Sequence, residues 1–600
     1  MELHNPLLSR WGAAIDKSCP WAEYPRPQQR RQNWQCLNGI WHYAIRSGTE
    51  TTEPEQYDGE ILVPFSPESL LSGVGRQLLP GQVLWYRREF NVNGFFGGDA
   101  LMEKLRLLLH FGAVDQCCKV FINGSLAGNH EGGYWPFALD ISGLIRTGTN
   151  TLTVEVTDNS DTGCEAYGKQ KLKRGGIWYT AQSGIWQTVW LEIVPELYIT
   201  QMKINPRCET SEVEFSFNFS LPQIPPVRVR IFGEDALISE GSFELSNFRL
   251  PVPDFRSWSP DDPFLYTAKI SAGSDDIETY FGMRQFGIIR GSDNLPRLSL
   301  NGKAIFHSGL LDQGYWSDGL YTAPSDEAMV WELGEVKRLG FNMLRKHIKI
   351  EPLRWYYHCD RLGILVWQDF VNGGGPYSPF VTQYLPFIGV KLHDRHGRRG
   401  FGRRSRAGRD IFEHDMARTV DLLGNVTSLA VWTLFNEGWG QFDARRLTDM
   451  LHVMDNTRLV DHASGWHDQQ YGDFASHHVY YKPFRYRQDR LGRIQALTEF
   501  GGYSLPSKGH MASQKLFGYR RYRDKDSFGA ALRRLYESEV FPVKARGLSA
   551  AVYTQLSDVE DEINGLYTYD RAELKIDPAV IQELNRDLIS GTDKLIPKLC

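Results

Sequence analysis

The stretch VWTLFNEGWGQF (431–442) runs almost wholly apolar and then stops on Asn436 and Glu437, with glycines and two further aromatics behind them. About 60 residues later IQALTEFGG (494–502) repeats the design and leaves Glu499 at the end of another apolar run. Burying a carboxylate is costly, so a strand of this kind that ends on one predicts either a structural ion pair or chemistry. Two carboxylates at the ends of separate strands are the pair that hydrolysis of a glycosidic bond with retention requires. One acid protonates the departing oxygen and the other traps the oxocarbenium-like carbon. Strand alternation in SHHVYY sets His478 and Tyr480 on one face, and His347 shares a face with Arg345 in LRKH.

Elements able to hold these residues follow from two textures. From about residue 35 to 290, short alternating runs such as LRLLLHF, CKVFING, NTLTVEVTD and QTVWLEIV are separated by Gly, Asn, Asp and Pro. That pattern predicts antiparallel sandwiches. A break near IVPELYIT (193–200) divides them into one sandwich over 1–195 and a smaller, immunoglobulin-like one over 196–290. From 291 to 600 buried strands alternate with helical patterns, which predicts a (β/α)8 TIM barrel whose site lies where the strands end. SDEAM opens one helix with a capping serine and early acids. The basic, Gly-rich HDRHGRRGFGRRSRAGRD (393–410) reads as a solvated loop over the barrel mouth or a contact for an anionic substrate. VNGGGPYSPFVTQYLPF reads as a lid or a plain surface loop.

Composition narrows the partners. A chain of 600 residues is too long for one core, and a formal net charge of -5 supplies none of the basic excess that nucleic acid binding relies on. The start lacks a signal-peptide apolar region, and no stretch approaches a membrane span, so the expectation is a cytoplasmic protein. Eight scattered cysteines form no metal-ligand spacing and predict reduced, mostly buried thiols.

Several stretches together resemble glycoside hydrolase family 2, the group of β-galactosidases, β-glucuronidases and β-mannosidases. LNGIWHY, WYRREF, VFINGSLAG, GGYWPFALDIS and SGIWQTVWLE resemble its N-terminal sugar-binding jelly roll. FGMRQFGI and LSLNGKAIFHSG resemble the junction into the barrel, and NMLRKH, DRLGILVWQDF, TLFNEG and TEFGG its strand ends. The resemblance implies that Glu437 is the general acid/base and Glu499 the nucleophile. It further implies that Asn436 bonds the sugar 2-hydroxyl, that Tyr480 orients the nucleophile, and that Arg345 favours the ionised carboxylate. His478 and His347 stand between substrate contact and core histidine.

Departures from the family bear on the sugar. Tyr553 in VYTQLSD stands where a tryptophan platform is common. The Trp-Asp-Trp-Gly-Pro signature of β-mannosidases is replaced by GGIWYTAQSGIW, and the Asn-x-Lys element of β-glucuronidases is not visible after Glu499. Asp312 and Gln313 in GLLDQGYW read as substrate contacts or a satisfied loop, and Asp558 and Glu560 as subsite contacts or loop caps. The expectation is a retaining exo-β-glycosidase, β-galactosidase-like, with β-glucuronidase, β-mannosidase or α-L-arabinosidase specificity as alternatives. A carbohydrate-binding relative without catalysis is the alternative of another class. The mechanism needs no metal or other cofactor, and the partner is a carbohydrate, with a homo-oligomer open.

Overall fold

The computed structural model describes residues 7–48, 52–92, 105–395 and 400–590. In the first sandwich the strand Thr149–Thr157 buries Leu152, Val154 and Val156 and pairs antiparallel with Gln82–Asn91 and Cys117–Ile122. These belong to a six-stranded sheet that faces a four-stranded one across a dry aliphatic core. The strand Val189–Pro195 ends this unit and Ile199–Arg207 opens the next, a sandwich of three- and four-stranded sheets filled by phenylalanines and β-branched residues.

The barrel strands are β1 (His307–Asp312), β2 (Met343–Lys346), β3 (Leu365–Asp369), β4 (Leu429–Thr433), β5 (Leu459–Asp461), β6 (Phe474–Val479), β7 (Ile494–Gly501) and β8 (Leu548–Thr554). They form one parallel sheet in the order β5-β4-β3-β2-β1-β8-β7-β6, the arrangement of a (β/α)8 barrel. Between β5 and β6 side chains close the circle: the Ser476 hydroxyl donates to Asp461 at 3.0 Å. Alternate residues such as Leu311, Met343, Leu365, Trp367 and Val431 fill the interior, and Trp258, Leu298 and Leu300 plug its floor. The apolar plug leaves only the C-terminal strand ends open for polar work.

Local signals act as the physics of caps and turns requires. Ser325 caps the helix Asp326–Arg338 by accepting the Ala328 amide at 3.1 Å, with Asp326 and Glu327 in the first turn. The basic stretch departs from a solvated loop. Residues 406–410 open the helix Arg406–Leu423, and Arg403 is buried, donating to the carbonyls of Gly440 and Gly408 at 2.9 Å each. Residues 396–399 of that stretch lie outside the described residues. Among the described residues no helix is long and apolar enough to cross a membrane.

Buried acids in the first sandwich make folding pH-dependent. Burial raises Asp115 to about 7, with the Gln170 amide at 3.0 Å as its hydrogen-bond donor, and raises Asp158 too. A carboxyl whose folded pKa exceeds its unfolded value contributes stability below the unfolded value and loses it as pH rises through the folded one. The melting temperature should therefore fall as pH rises from about 4 to about 7, with Asp115 contributing on the order of a few kcal/mol. Asp115→Asn should flatten that slope in a scanning-fluorimetry series, and an unaltered slope would contradict the assignment.

Candidate active site

Six strand ends converge on the site that holds the two carboxylates. Glu437 follows β4 in a left-handed backbone conformation (φ 52°), flanked by Gly438 and Gly440, whose φ values are also positive. Such a conformation costs a non-glycine residue about 1 kcal/mol or more and recurs at functional sites. It lets the chain turn out of the strand with the carboxylate aimed inward. Glu499 lies within β7 where the pairing to both β6 and β8 shifts register, and the irregularity re-aims one side chain.

Arg345, at the end of β2 and wholly buried, organises the site. Its guanidinium grips Asp369 at the end of β3 through two bonds of 3.0 and 2.9 Å. It also donates to Glu499 at 3.1 Å and to the Asn436 side-chain oxygen at 2.7 Å. Burial opposes its charge, but Asp369 and Glu499 more than restore it. The Asn436 amide nitrogen is buried and, among the described residues, has no hydrogen-bond partner, a donor held ready beside Glu437.

His478, at the end of β6, links the two acids. Its Nδ1 lies 2.8 Å from Glu437 and 3.4 Å from Glu499, while Nε2 faces the Arg345 guanidinium at 3.4 Å and the Ser464 hydroxyl at 3.1 Å. Because an arginine can only donate, Nε2 is the acceptor and Nδ1 carries the hydrogen that Glu437 and Glu499 share. Burial lowers the ring to about 4, so it is neutral at ordinary pH. Tyr480 donates its hydroxyl to Glu499, reaches the Thr554 hydroxyl at 3.1 Å, and stacks on Tyr519 with ring centroids 3.9 Å apart.

The acids are pushed in the same direction by unequal surroundings. Burial raises Glu437 to about 7, with Lys169 and Arg345 pulling back. Burial raises Glu499 as well, adding to the effect of the Glu437 charge and opposed by His478, Arg345 and Tyr480. Arg345 favours the ionised carboxylate as expected, but enclosure outweighs it and acts on both groups.

His347 belongs to the same constellation, its Nδ1 2.8 Å from Asp369, with burial lowering it to about 3. Asp312 and Tyr553 do not. Asp312 is buried in a second network, accepting from Lys346 at 2.5 Å and from the Gly314 amide at 2.8 Å. It pairs with Lys346 in register, on the opposite face of the sheet from Arg345. Tyr553 packs outward against Phe500 in the layer between strands and helices, and its neighbour Thr554 takes the inward position. Glu560 accepts the Thr180 amide and Asp558 binds Lys575 at 2.6 Å through one of its oxygens, so both are anchored within the protein.

A cavity of about 920 Å³ opens over the carboxylates, and Glu437, Trp439, Trp178, His478, Tyr480 and Tyr519 are among the residues that line it. Trp178 and Trp439 supply the aromatic faces that Tyr553 does not. Pro386 and Phe387, from the lid-like stretch after β3, form part of the rim. Trp178 comes from the first sandwich. Its loop is stitched to the barrel by the Tyr167 and Gly168 amides on the Asn372 carbonyl, by Arg174 on Asp561 at 2.8 Å and by Tyr179 on Glu562. Asp369 could have been found in the sequence, since LVWQD ends on an acid as the other strands do. The sandwich residues carried no such signal, because their place depends on how two domains dock. Glu437, His478 and Glu499 are also the one trio of potential cation ligands among the described residues, with one atom of each within 4.8 Å of the others.

Residues 79–195 match the model described as glycosyl hydrolases family 2, sugar binding domain, and residues 195–284 match that described as glycosyl hydrolases family 2. The chain is 23% identical to a β-glucuronidase of Streptococcus agalactiae over 57% of its length and 58% of the relative's. It is 23% identical to a β-galactosidase of Thermoanaerobacter pseudethanolicus over 48% of its length and 39% of that relative's. It therefore spans well under two thirds of the curated relatives it matches. A solved β-glucuronidase from an uncultured Clostridium shares the fold, with a TM-score of 0.73 and 17% identity, covering 94% of this chain and 99% of that one. The two matched models are both of glycosyl hydrolases family 2, and the sandwiches they cover lead without a break into a barrel of this form.

Proposed function

We propose that the protein is a retaining exo-β-glycosidase acting on a terminal β-linked pyranoside, with β-galactosides and β-glucuronides the first candidates. The observation that carries this reading is spacing: carboxylate oxygens of Glu437 and Glu499 lie no more than 4.8 Å apart. Retaining enzymes hold their carboxyl groups about 5–5.5 Å apart, whereas inverting ones leave about 6.5–9.5 Å for a water. Glu437 donates its proton to the glycosidic oxygen as Glu499 attacks the anomeric carbon, and the aglycone leaves as an alcohol. Glu437, now ionised, takes a proton from water, whose oxygen displaces Glu499 and releases the sugar with its configuration kept. The free Asn436 donor suits the 2-hydroxyl, where a bond that strengthens in the transition state lowers the barrier. The free state of the described cysteines supports a cytoplasmic place of work.

Turnover should follow a bell in pH. Glu437 must be protonated in the first step, so kcat/KM should fall on the alkaline side with a midpoint near 7, while the acid limb reports ionisation of the coupled pair. A flat profile from pH 4 to 9 would contradict the roles given. The reading itself is tested with aryl β-glycosides of several sugars, following the first-formed hemiacetal by proton NMR. The β-anomer should appear first. Initial release of the α-anomer would overturn retention, and no release from any sugar would overturn the glycosidase reading.

A further inference from the structure

One buried cation beside the cavity has, among the described residues, no hydrogen-bond partner. Lys169, in the loop that the first sandwich lays over the barrel, is 5% exposed. Its ammonium lies 4.6 Å from the ring centre of Trp439, 5.5 Å from Trp178 and 5.9 Å from Tyr179. Among the described residues it makes no hydrogen bond, and no carboxylate oxygen comes within 4 Å. The other buried lysines are all engaged: Lys346 by Asp312 and Glu351, Lys349 by Glu351, Lys575 by Asp558, and Lys544 by the Leu588 carbonyl.

Aromatic faces compensate part of the cost of burying an ammonium and leave its three N–H donors unused. Trp178 and Trp439, two of the rings around it, line the cavity together with Glu437. Arg345 is fully committed to Asp369, Glu499 and Asn436. Glu562, Glu499 and Glu437 act on Lys169 only through space, so its ammonium is the positive charge of the site whose hydrogen bonds are unspent. A neutral hydroxyl would use one donor, whereas an anionic group accepts from several and adds a contacting countercharge to those that Glu562, Glu499 and Glu437 supply from further off.

We propose that Lys169 binds a negatively charged substituent of the sugar, a carboxylate or a sulfate ester, so that the first sandwich sets the charge specificity of the barrel's active site. This rests on the glycosidase reading. It also accounts for the missing Asn-x-Lys element after Glu499: the lysine arrives from another domain.

The test compares kcat/KM for aryl β-glycosides that differ only at C6, as hydroxymethyl, carboxylate or sulfate ester, in the full-length protein, in Lys169→Met and in Lys169→Arg. A charge-assisted bond predicts that one acidic form is preferred to its neutral counterpart on the order of 100-fold. The preferred acidic form identifies the source of the charge. The acidic-to-neutral ratio should collapse toward 1 in Lys169→Met and recover in part in Lys169→Arg. A wild-type preference for the neutral sugar, or equal losses on both forms in Lys169→Met, would overturn the proposal. Calorimetric titration with free glucuronate, galacturonate and galactose 6-sulfate, with galactose as control, separates it from the catalytic reading. Binding of an acidic sugar that Lys169→Met loses supports the proposal even without turnover, and indifference to charge sinks it even with turnover. A melting temperature unchanged or raised in Lys169→Met would show that the variant folds and that the lysine is not there for stability.

Discussion

Replacing Glu499 with alanine should lower kcat by about 10⁵- to 10⁶-fold, the scale at which removal of a covalent nucleophile is felt. That is about 7–8 kcal/mol of transition-state stabilisation. The loss has a structural basis beyond the missing attack. Arg345 and Tyr480 both donate to this carboxylate, and without it their charge and hydroxyl face an empty space rather than a developing ester. Added azide should enter that space and restore part of the rate, attacking the anomeric carbon once and yielding the α-glycosyl azide. Recovery of the β-azide, or a loss of less than about 100-fold, would move the nucleophile's role elsewhere.

Replacing Glu437 with alanine should have an effect that depends on the leaving group. Alkyl glycosides, whose oxygen must be protonated to depart, should lose about 10²- to 10⁴-fold. Dinitrophenyl glycosides need little protonation and should keep a fast first step, with a burst followed by slow hydrolysis for want of a base. Azide should here accelerate the second step and give the β-glycosyl azide, the opposite anomer to that from Glu499→Ala. The alkaline limb of the pH profile near 7 should vanish with the carboxyl that produces it. Equal losses on all leaving groups would contradict the acid/base role.

Much of this site was legible because a barrel strand obeys two strict rules: its middle is apolar and its C-terminal end is not. Glu437 and Glu499 follow from them, as does Asp369. Alternation also explains the two residues that the structure places elsewhere. Val552 lies in the interior cluster, so Tyr553 must face the helices and Thr554 the cavity. In the same way Lys346 turns away from Arg345 and takes Asp312 with it. Tyr553 stood at the position of the sugar platform and Asp312 between a substrate contact and a satisfied loop, and the pleat turns both away from the cavity. Lys169 and Trp178 could not be read from local pattern, since the docking of the first sandwich onto Asn372, Glu560 and Asp561 brings them to the carboxylates. Nor does residue type reveal burial: Glu499 is ringed by donors and is still raised by its enclosure.

The central claim is that Glu499 becomes covalently bound to the sugar. A 2-deoxy-2-fluoro-β-glycosyl fluoride of the preferred sugar slows both steps but keeps a good leaving group, so the glycosyl-enzyme should accumulate. Intact mass should rise by one fluorosugar, and peptide mapping should place the label on Glu499. A label on any other residue, or stoichiometric release of fluoride with no label, would contradict the account.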